Sequence, residues 1–489
     1  MTKSKSKRKQ AGSQAVNGTV AKKVKADCPA AITLTGSPYE PKLLQTVVSE
    51  EELEITVDTL RTLADNPSLI KSKACKDLRA AVFDFKQAST TGSIASVDAN
   101  LTSRISGALA DQNWVDARVM LAEMKVRGQK PKLGALCRWV RDLDVISGLA
   151  EQRDGTGVKR SDLQLDVLNV LDAVLRVVGP IDYSAGDAAE SGPMVVRKAW
   201  DLRDGRERRM VYESVLNGSL IKTVDDETTS RFRILDTTPG LQRKPPNHHP
   251  AILHASQDNT IKFSSPAPTT THHQHPTVPN LHLMKDVLTA NECEQIIGAA
   301  EKIGFTPDAP IRAAGEEVSI LAHNFYWIAD EAFCAGLWSR VEPFVPAAVG
   351  GRRVRGLNRR FRVYRYVPGA EYRAHIDGAW PPSGISAEDK YLYDASPPGA
   401  KQSSLFTFLI YLNDEFEAGE TTYFLPGPRE GTLNAYPLKP IQGSVALFPH
   451  GEVDGNLLHE GTGVQKGDRP SAKYVIRTDV EYDVEAQTA

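Results

Sequence analysis

Between Phe361 and Tyr482 the chain is cut into seven short strand-like runs, each ended by glycine, proline or polar turn residues. They are Phe361–Val367, Tyr372–Asp377, Leu405–Leu412, Thr421–Leu425, Ser444–Phe448, Leu457–Glu460 and Tyr474–Tyr482. Runs this short, with no helical pattern between them, exclude an alternating strand–helix sheet and favour two sheets rolled over one another.

The rest of the chain must contain more than this one core. At 489 residues it exceeds what a single core normally holds, and 41% hydrophobic with 25% charged residues is the composition of a globular protein. The reading is an α+β multidomain chain. Residues 1–40 form a disordered basic tail with clusters at Lys3–Lys9 and Lys22–Lys25, spaced like a bipartite nuclear address. Residues 41–239 form a mainly helical domain. Ser49 and Glu52 make a capping box, leucines and valines recur at helical steps around 102–126 and 163–178, and Asn113–Pro131 has the pattern of a pentatricopeptide-like hairpin. Residues 240–280, rich in proline and histidine, are a linker. Residues 281–483 are the strand-rich domain, opened by a helix capped by Thr289 and Glu292, and 484–489 are a short tail.

Net charge of −2 gives no overall polyanion-binding signature. Five scattered cysteines argue against a disulfide framework and for a reducing compartment. No stretch is apolar enough to span a bilayer, and the Lys-rich start lacks the apolar core of a secretory signal. A nuclear or cytoplasmic protein without membrane contact is expected.

Within the strand-rich part, His375-Ile376-Asp377 places an imidazole and a carboxylate two residues apart, on one face of a strand. His459, between two leucines and a turn, supplies a third donor. Two histidines and one carboxylate on one side of an ion leave open coordination positions, as at non-haem Fe(II) centres. His450 and His323 compete for the third place, but His450 ends a strand nearer solvent and His323 precedes the pair. Downstream, Lys473 and Arg477 share a strand face and offer cations for a carboxylate, Lys473 preferred and Arg477 in reserve.

These stretches, with Arg365-Tyr366-Val367-Pro368-Gly369, Phe408–Asn413 and Ala418–Phe424, occur in an order that resembles the prolyl 4-hydroxylase type of Fe(II)- and 2-oxoglutarate-dependent dioxygenase. The resemblance covers about 281–482. It implies a double-stranded β-helix (jelly roll), iron at His375, Asp377 and His459, and the 2-oxoglutarate 5-carboxylate at Lys473. Residues matching Tyr366 and Tyr411 line or hydrogen-bond the cosubstrate in such enzymes, and Thr421 helps line the pocket. The interval from His459 to Lys473 is longer than usual, with Gln465–Ser471 reading as an inserted turn.

The activity so implied consumes 2-oxoglutarate and O2, releases succinate and CO2, and hydroxylates a peptidyl side chain, by family habit proline, with L-ascorbate as reductant. A protein or peptide is the expected partner. The alternatives are an RNA or other nucleic acid, a small metabolite, or a non-catalytic scaffold with the same fold. Trp380-Pro381-Pro382, after the first two donors, is a candidate loop over the site.

Overall fold

A computed structural model describes residues 47–91, 100–149, 159–184, 192–311 and 322–485. The expected basic tail and its nuclear address lie outside these residues. The chain divides into two units, Met1–Val82 and Phe83–Ala489.

In the first unit the helix Glu50–Ala64 starts as its sequence requires. Ser49 Oγ accepts from the Glu52 amide while the Glu52 carboxylate accepts from the Ser49 amide at 2.9 Å, satisfying two otherwise orphaned donors. Its apolar stripe, Leu53, Val57 and Leu60, remains exposed.

The second unit is organised by eight strands: β1 (Arg360–Tyr366), β2 (Tyr372–His375), β3 (Gln402–Tyr411), β4 (Thr421–Pro426), β5 (Leu433–Leu438), β6 (Val445–Pro449), β7 (Leu458–Gly461) and β8 (Lys473–Asp483). In the larger sheet their order is β1-β8-β3-β6, and in the smaller one β5-β4-β7-β2. Every pairing among them is antiparallel. The two-residue alternation of a strand divides each sheet's faces. In the larger sheet, Phe361, Val363, Phe408, Ile410, Tyr474 and Ile476 pack outward under the helices Ala290–Ile303 and Glu331–Val341. Tyr364, Tyr366, Tyr411 and Val475 turn inward and meet Tyr423, Leu425, Tyr436 and Leu438 of the smaller sheet.

The smaller sheet's other face is covered by four helices, α1 (Leu101–Ala110), α2 (Trp114–Val126), α3 (Leu133–Ser147) and α4 (Asp162–Val178). In α4, Val167, Leu168, Leu171, Val174 and Leu175 recur at helical spacing and are all buried. They share a core with Ala374, Ile376, Phe424, Leu433 and Leu458 of the sheet. Two charged contacts fix this layer: Arg373 to Asp144 at 2.9 Å, and Asp172, which takes Arg176 at 2.7 Å and the Gly431 amide at 2.8 Å. Of the helices expected as a separate domain, α1 to α4 therefore share one compact unit with the strands. The stretch Asn113–Pro131, read as a hairpin, holds α2 and the turn that follows it.

The stretch 240–280 differs from the linker read from its prolines. Ala251–Ser256 pairs in parallel with the strand Ala322–Ile328, and Thr271–Gln274 pairs with His282–Lys285. Both strands are proline-free, so the prolines punctuate the turns around them without interrupting a ladder. Among the described residues no helix is long and apolar enough to cross a membrane, and Cys75, Cys137, Cys293 and Cys334 are free thiols.

Candidate metal centre

β2 and β7 are neighbours in the smaller sheet, and His375 and His459 are direct partners across them. Their rings stand 4.3 Å apart between centroids. β2 ends at His375, so Asp377 lies just past the strand, beyond a register irregularity between Tyr372 and His375. Its Oδ1 is 3.3 Å from His375 Nε2, and its Oδ2 is 3.6 Å from His459 Nε2. The ligand atoms of the three residues lie within 4.8 Å of one another, and among the described residues they are the one such group of histidine, cysteine and acidic side chains.

Hydrogen bonding prepares both imidazoles for a metal. His375 Nδ1 lies 2.8 Å from the Arg373 carbonyl and His459 Nδ1 3.1 Å from the Leu457 carbonyl. A carbonyl only accepts, so each Nδ1 carries the proton and each Nε2 presents its lone pair. Burial pushes His459 down to about 3, with His375 adding to the effect, so this imidazole is neutral at ordinary pH. Burial alone would raise the Asp377 carboxyl; Arg477, His459 and His375 outweigh it and hold the group well below the usual carboxylate range. Asp377 Oδ1 is buried and accepts no well-formed hydrogen bond, although Arg477 Nη1 lies 2.6 Å away. A buried oxygen in this condition, beside two oriented imidazoles, fits a divalent cation of the Fe(II) type.

The donors open on a cavity of about 50 Å³ between the sheets, lined also by Tyr366, Thr421, Lys473 and Arg477. At about 30 Å³ per water in the liquid, that is room for one or two waters. Lys473 begins β8 opposite Tyr366. Its ammonium is buried, donates to the carbonyls of Gly419 at 3.1 Å and Thr462 at 3.2 Å, and sits 4.9 Å from the centre of the Tyr366 ring. Gly419 has φ +71°, and a Cβ there would meet the Phe416 ring at 2.5 Å, so glycine is required where the chain closes around Lys473. Tyr411 is absent from the cavity wall and reaches it through Thr421, hydroxyl to hydroxyl at 2.7 Å. Residues 465–470 form an exposed loop, so the long interval from His459 to Lys473 leaves β7 and β8 undisturbed.

The two cations of β8 divide the cavity between them. Lys473 stands among backbone carbonyls, whereas Arg477 faces Asp377.

His450 is not near solvent as its position after Pro449 implied: it is 1% exposed, with its amide tied to the Leu405 carbonyl at 2.8 Å. It is also outside the donor group. Its Nε2 meets Ser404 Oγ at 2.7 Å and its Nδ1 meets Thr407 Oγ1 at 2.6 Å, while Thr407 Oγ1 donates to Asp377 Oδ2 at 2.7 Å. Ser404, Thr407 and His450 thus form a buried support for the carboxylate, which the sequence pattern did not reveal. His323 lies on Ala322–Ile328, away from the cavity wall.

No family model and no curated protein matches the chain. Among solved structures, an oxidoreductase of the 2OG-Fe(II) oxygenase family from Burkholderia pseudomallei is similar at 14% identity and TM-score 0.25, over 43% of this chain and 88% of that one. A prolyl hydroxylase from Trichoplax adhaerens, in complex with a hypoxia inducible factor oxygen degradation domain peptide fragment, is similar at 16% identity and TM-score 0.25, over 42% of this chain and 83% of its own.

Proposed function

We propose that the protein is an Fe(II)- and 2-oxoglutarate-dependent dioxygenase that hydroxylates a peptidyl side chain, with proline the favoured target. The observation that carries this is the convergence of His375, Asp377 and His459 within 4.8 Å on a cavity that also contains Lys473. The strand orders β1-β8-β3-β6 and β5-β4-β7-β2 agree with an eight-stranded double-sheet roll, the jelly-roll form of the double-stranded β-helix.

When bound, ferrous iron and 2-oxoglutarate supply oxidative decarboxylation coupled to oxygen insertion into a substrate C–H bond. The chain's own work is to hold and orient. His375 and His459 offer Nε2 because their Nδ1 protons are committed to backbone carbonyls. Asp377 stays ionised because Arg477 faces it, and it keeps one orientation because Thr407 donates to Oδ2. Lys473 receives the remote carboxylate of the oxoacid in a water-poor pocket, where a charge-assisted bond is strong. Tyr366, across from Lys473, bounds the same pocket. L-ascorbate is the proposed reductant.

Succinate release from 2-oxoglutarate, measured with ferrous iron and candidate peptides, tests the reading. His375→Ala and Asp377→Ala should each abolish iron-dependent release while the protein still melts cooperatively. Undiminished release from either variant would remove the assignment.

A further inference from the structure

A second cleft, of about 490 Å³, adjoins the metal cavity and shares the wall residue Tyr372 with it. The Tyr372 ring is 4.3 Å from the His375 ring, so whatever lies along this cleft ends beside the proposed metal centre. Its floor continues β1. Arg360, Arg362, Tyr364 and Tyr366 alternate onto one face of that strand, the first two in the cleft and the last two in the metal cavity.

The cations of the cleft are not equivalent. Arg243 and Arg362 hold Asp308 from two sides, at 3.0 and 3.2 Å, and Asn247 donates to the same carboxylate at 2.7 Å. Arg360 is different. Among the described residues its guanidinium has no carboxylate partner and no hydrogen bond, and its Nε is buried. It lies over the Trp380 ring at 4.3 Å and 5.6 Å from the Tyr326 ring centre. Stacking fixes the plane of the fork and removes much of its rotational freedom without using its donors. The cleft contains four cations, Arg243, Lys244, Arg360 and Arg362, against two carboxylates, Asp236 and Asp308, a net charge of two positive.

We infer that this cleft is the substrate groove, and that Arg360 receives the side-chain carboxylate of an aspartate or glutamate in an acidic peptide. This rests on the oxygenase reading above and adds a substrate class to it. With Arg243 and Arg362 both turned toward Asp308, Arg360 offers an oriented guanidinium fork that matches one carboxylate. A nucleic-acid strand, with a charge at every nucleotide, would call for a run of uncommitted cations. Tyr364 lies four positions beyond Arg360 on β1, about 13 Å at roughly 3.3 Å per residue. An extended peptide covers that distance in about four residues. The acidic residue is therefore placed about three to five positions from the one that is oxidised.

The experiment uses the full chain with ferrous iron and 2-oxoglutarate, kept free of oxygen so that no turnover intervenes. Fluorescent peptides of about twelve residues carry a central proline and, at one scanned position each, either glutamate or glutamine. Glutamate three to five positions from the proline should tighten binding at least tenfold over glutamine. Arg360→Gln should bring the two within twofold, and Arg360→Lys should recover part of the preference. Thermal melting checks each variant, and should Arg360→Gln fail to fold, the position dependence in the unaltered protein and Arg360→Lys decide. Equal binding of both peptide sets, no binding of either, or a preference that survives in Arg360→Gln would overturn the inference. So would a single-stranded RNA twelve-mer that displaces the peptides in an Arg360-dependent way. Because binding is read without turnover, lost discrimination with succinate release intact sinks the groove alone. Retained discrimination with no succinate release under air sinks the chemistry alone.

Discussion

Arg477 Nη1 lies 2.6 Å from Asp377 Oδ1, so the second cation of β8 is committed to a donor of the proposed metal centre. Removing it takes away the largest of the influences that offset burial at Asp377, which raises the carboxylate's proton affinity. Arg477→Gln should therefore weaken ferrous-ion binding by about 10–100-fold, the range typical of lost outer-shell partners. Titration of the iron-free protein with ferrous ion checks this; unchanged affinity would show that the pairing is incidental.

Lys473 should behave in the opposite way. Lys473→Ala removes the proposed oxoacid anchor and leaves the three donors in place. The apparent 2-oxoglutarate requirement should rise about tenfold or more, the scale of one lost charge-assisted bond, with ferrous affinity altered less than twofold. If Arg477→Gln raises the 2-oxoglutarate requirement and Lys473→Ala leaves it alone, the roles are exchanged.

Thr407 joins Asp377 to His450. Thr407→Val keeps the shape but strands two buried polar partners, at a cost on the order of 1–3 kcal/mol. Chemical denaturation should show that loss. Ferrous affinity should also fall, because the carboxylate is no longer held at Oδ2, whereas Thr407→Ser should restore most of both.

Acid should destabilise the fold through His275. Its Nδ1 accepts from the amides of Thr277 and Val278 at 3.0 and 2.8 Å, and burial pushes it down to about 4. Unfolded, it takes up a proton near its ordinary value of about 6.5. Between about pH 6.5 and 4 the unfolded chain thus binds more protons than the native one, and stability falls as pH falls, by at most about 1.4 kcal/mol per pH unit for this group. Urea midpoints from pH 7 to 4 measure the slope, and His275→Gln should flatten it. An unchanged slope would exclude His275 as a source.

What was legible in the sequence follows the range of the interactions. His375 and Asp377 are two residues apart, His459 follows a leucine pair before a turn, and Lys473 opens a recognisable apolar run, so short patterns sufficed to nominate them. The support beneath Asp377 was invisible because Ser404, Thr407 and His450 meet only when β3 pairs with β6. His450 misled for the same reason: nothing local says that a residue just past a strand end will be met by Ser404 and Thr407 of a distant strand. The strands Ala251–Ser256 and Thr271–Gln274 were hidden by the density of proline around them, although no proline falls inside either. The merging of α1 to α4 with the smaller sheet depends on Ala374, Ile376 and Leu458, whose outward apolar faces read equally well as ordinary core.

That merging governs how the protein can be dissected. Shortening the gene to begin near residue 281 would strip the cover from the very strands that carry His375 and His459, leaving Ile376, Phe424, Leu433 and Leu458 wet. Each large apolar side chain so exposed forfeits about 1.5–3 kcal/mol, which a marginally stable domain does not have in reserve. A minimal soluble piece would have to keep α1 to α4 as a built-in lining for the back of the donor-bearing sheet.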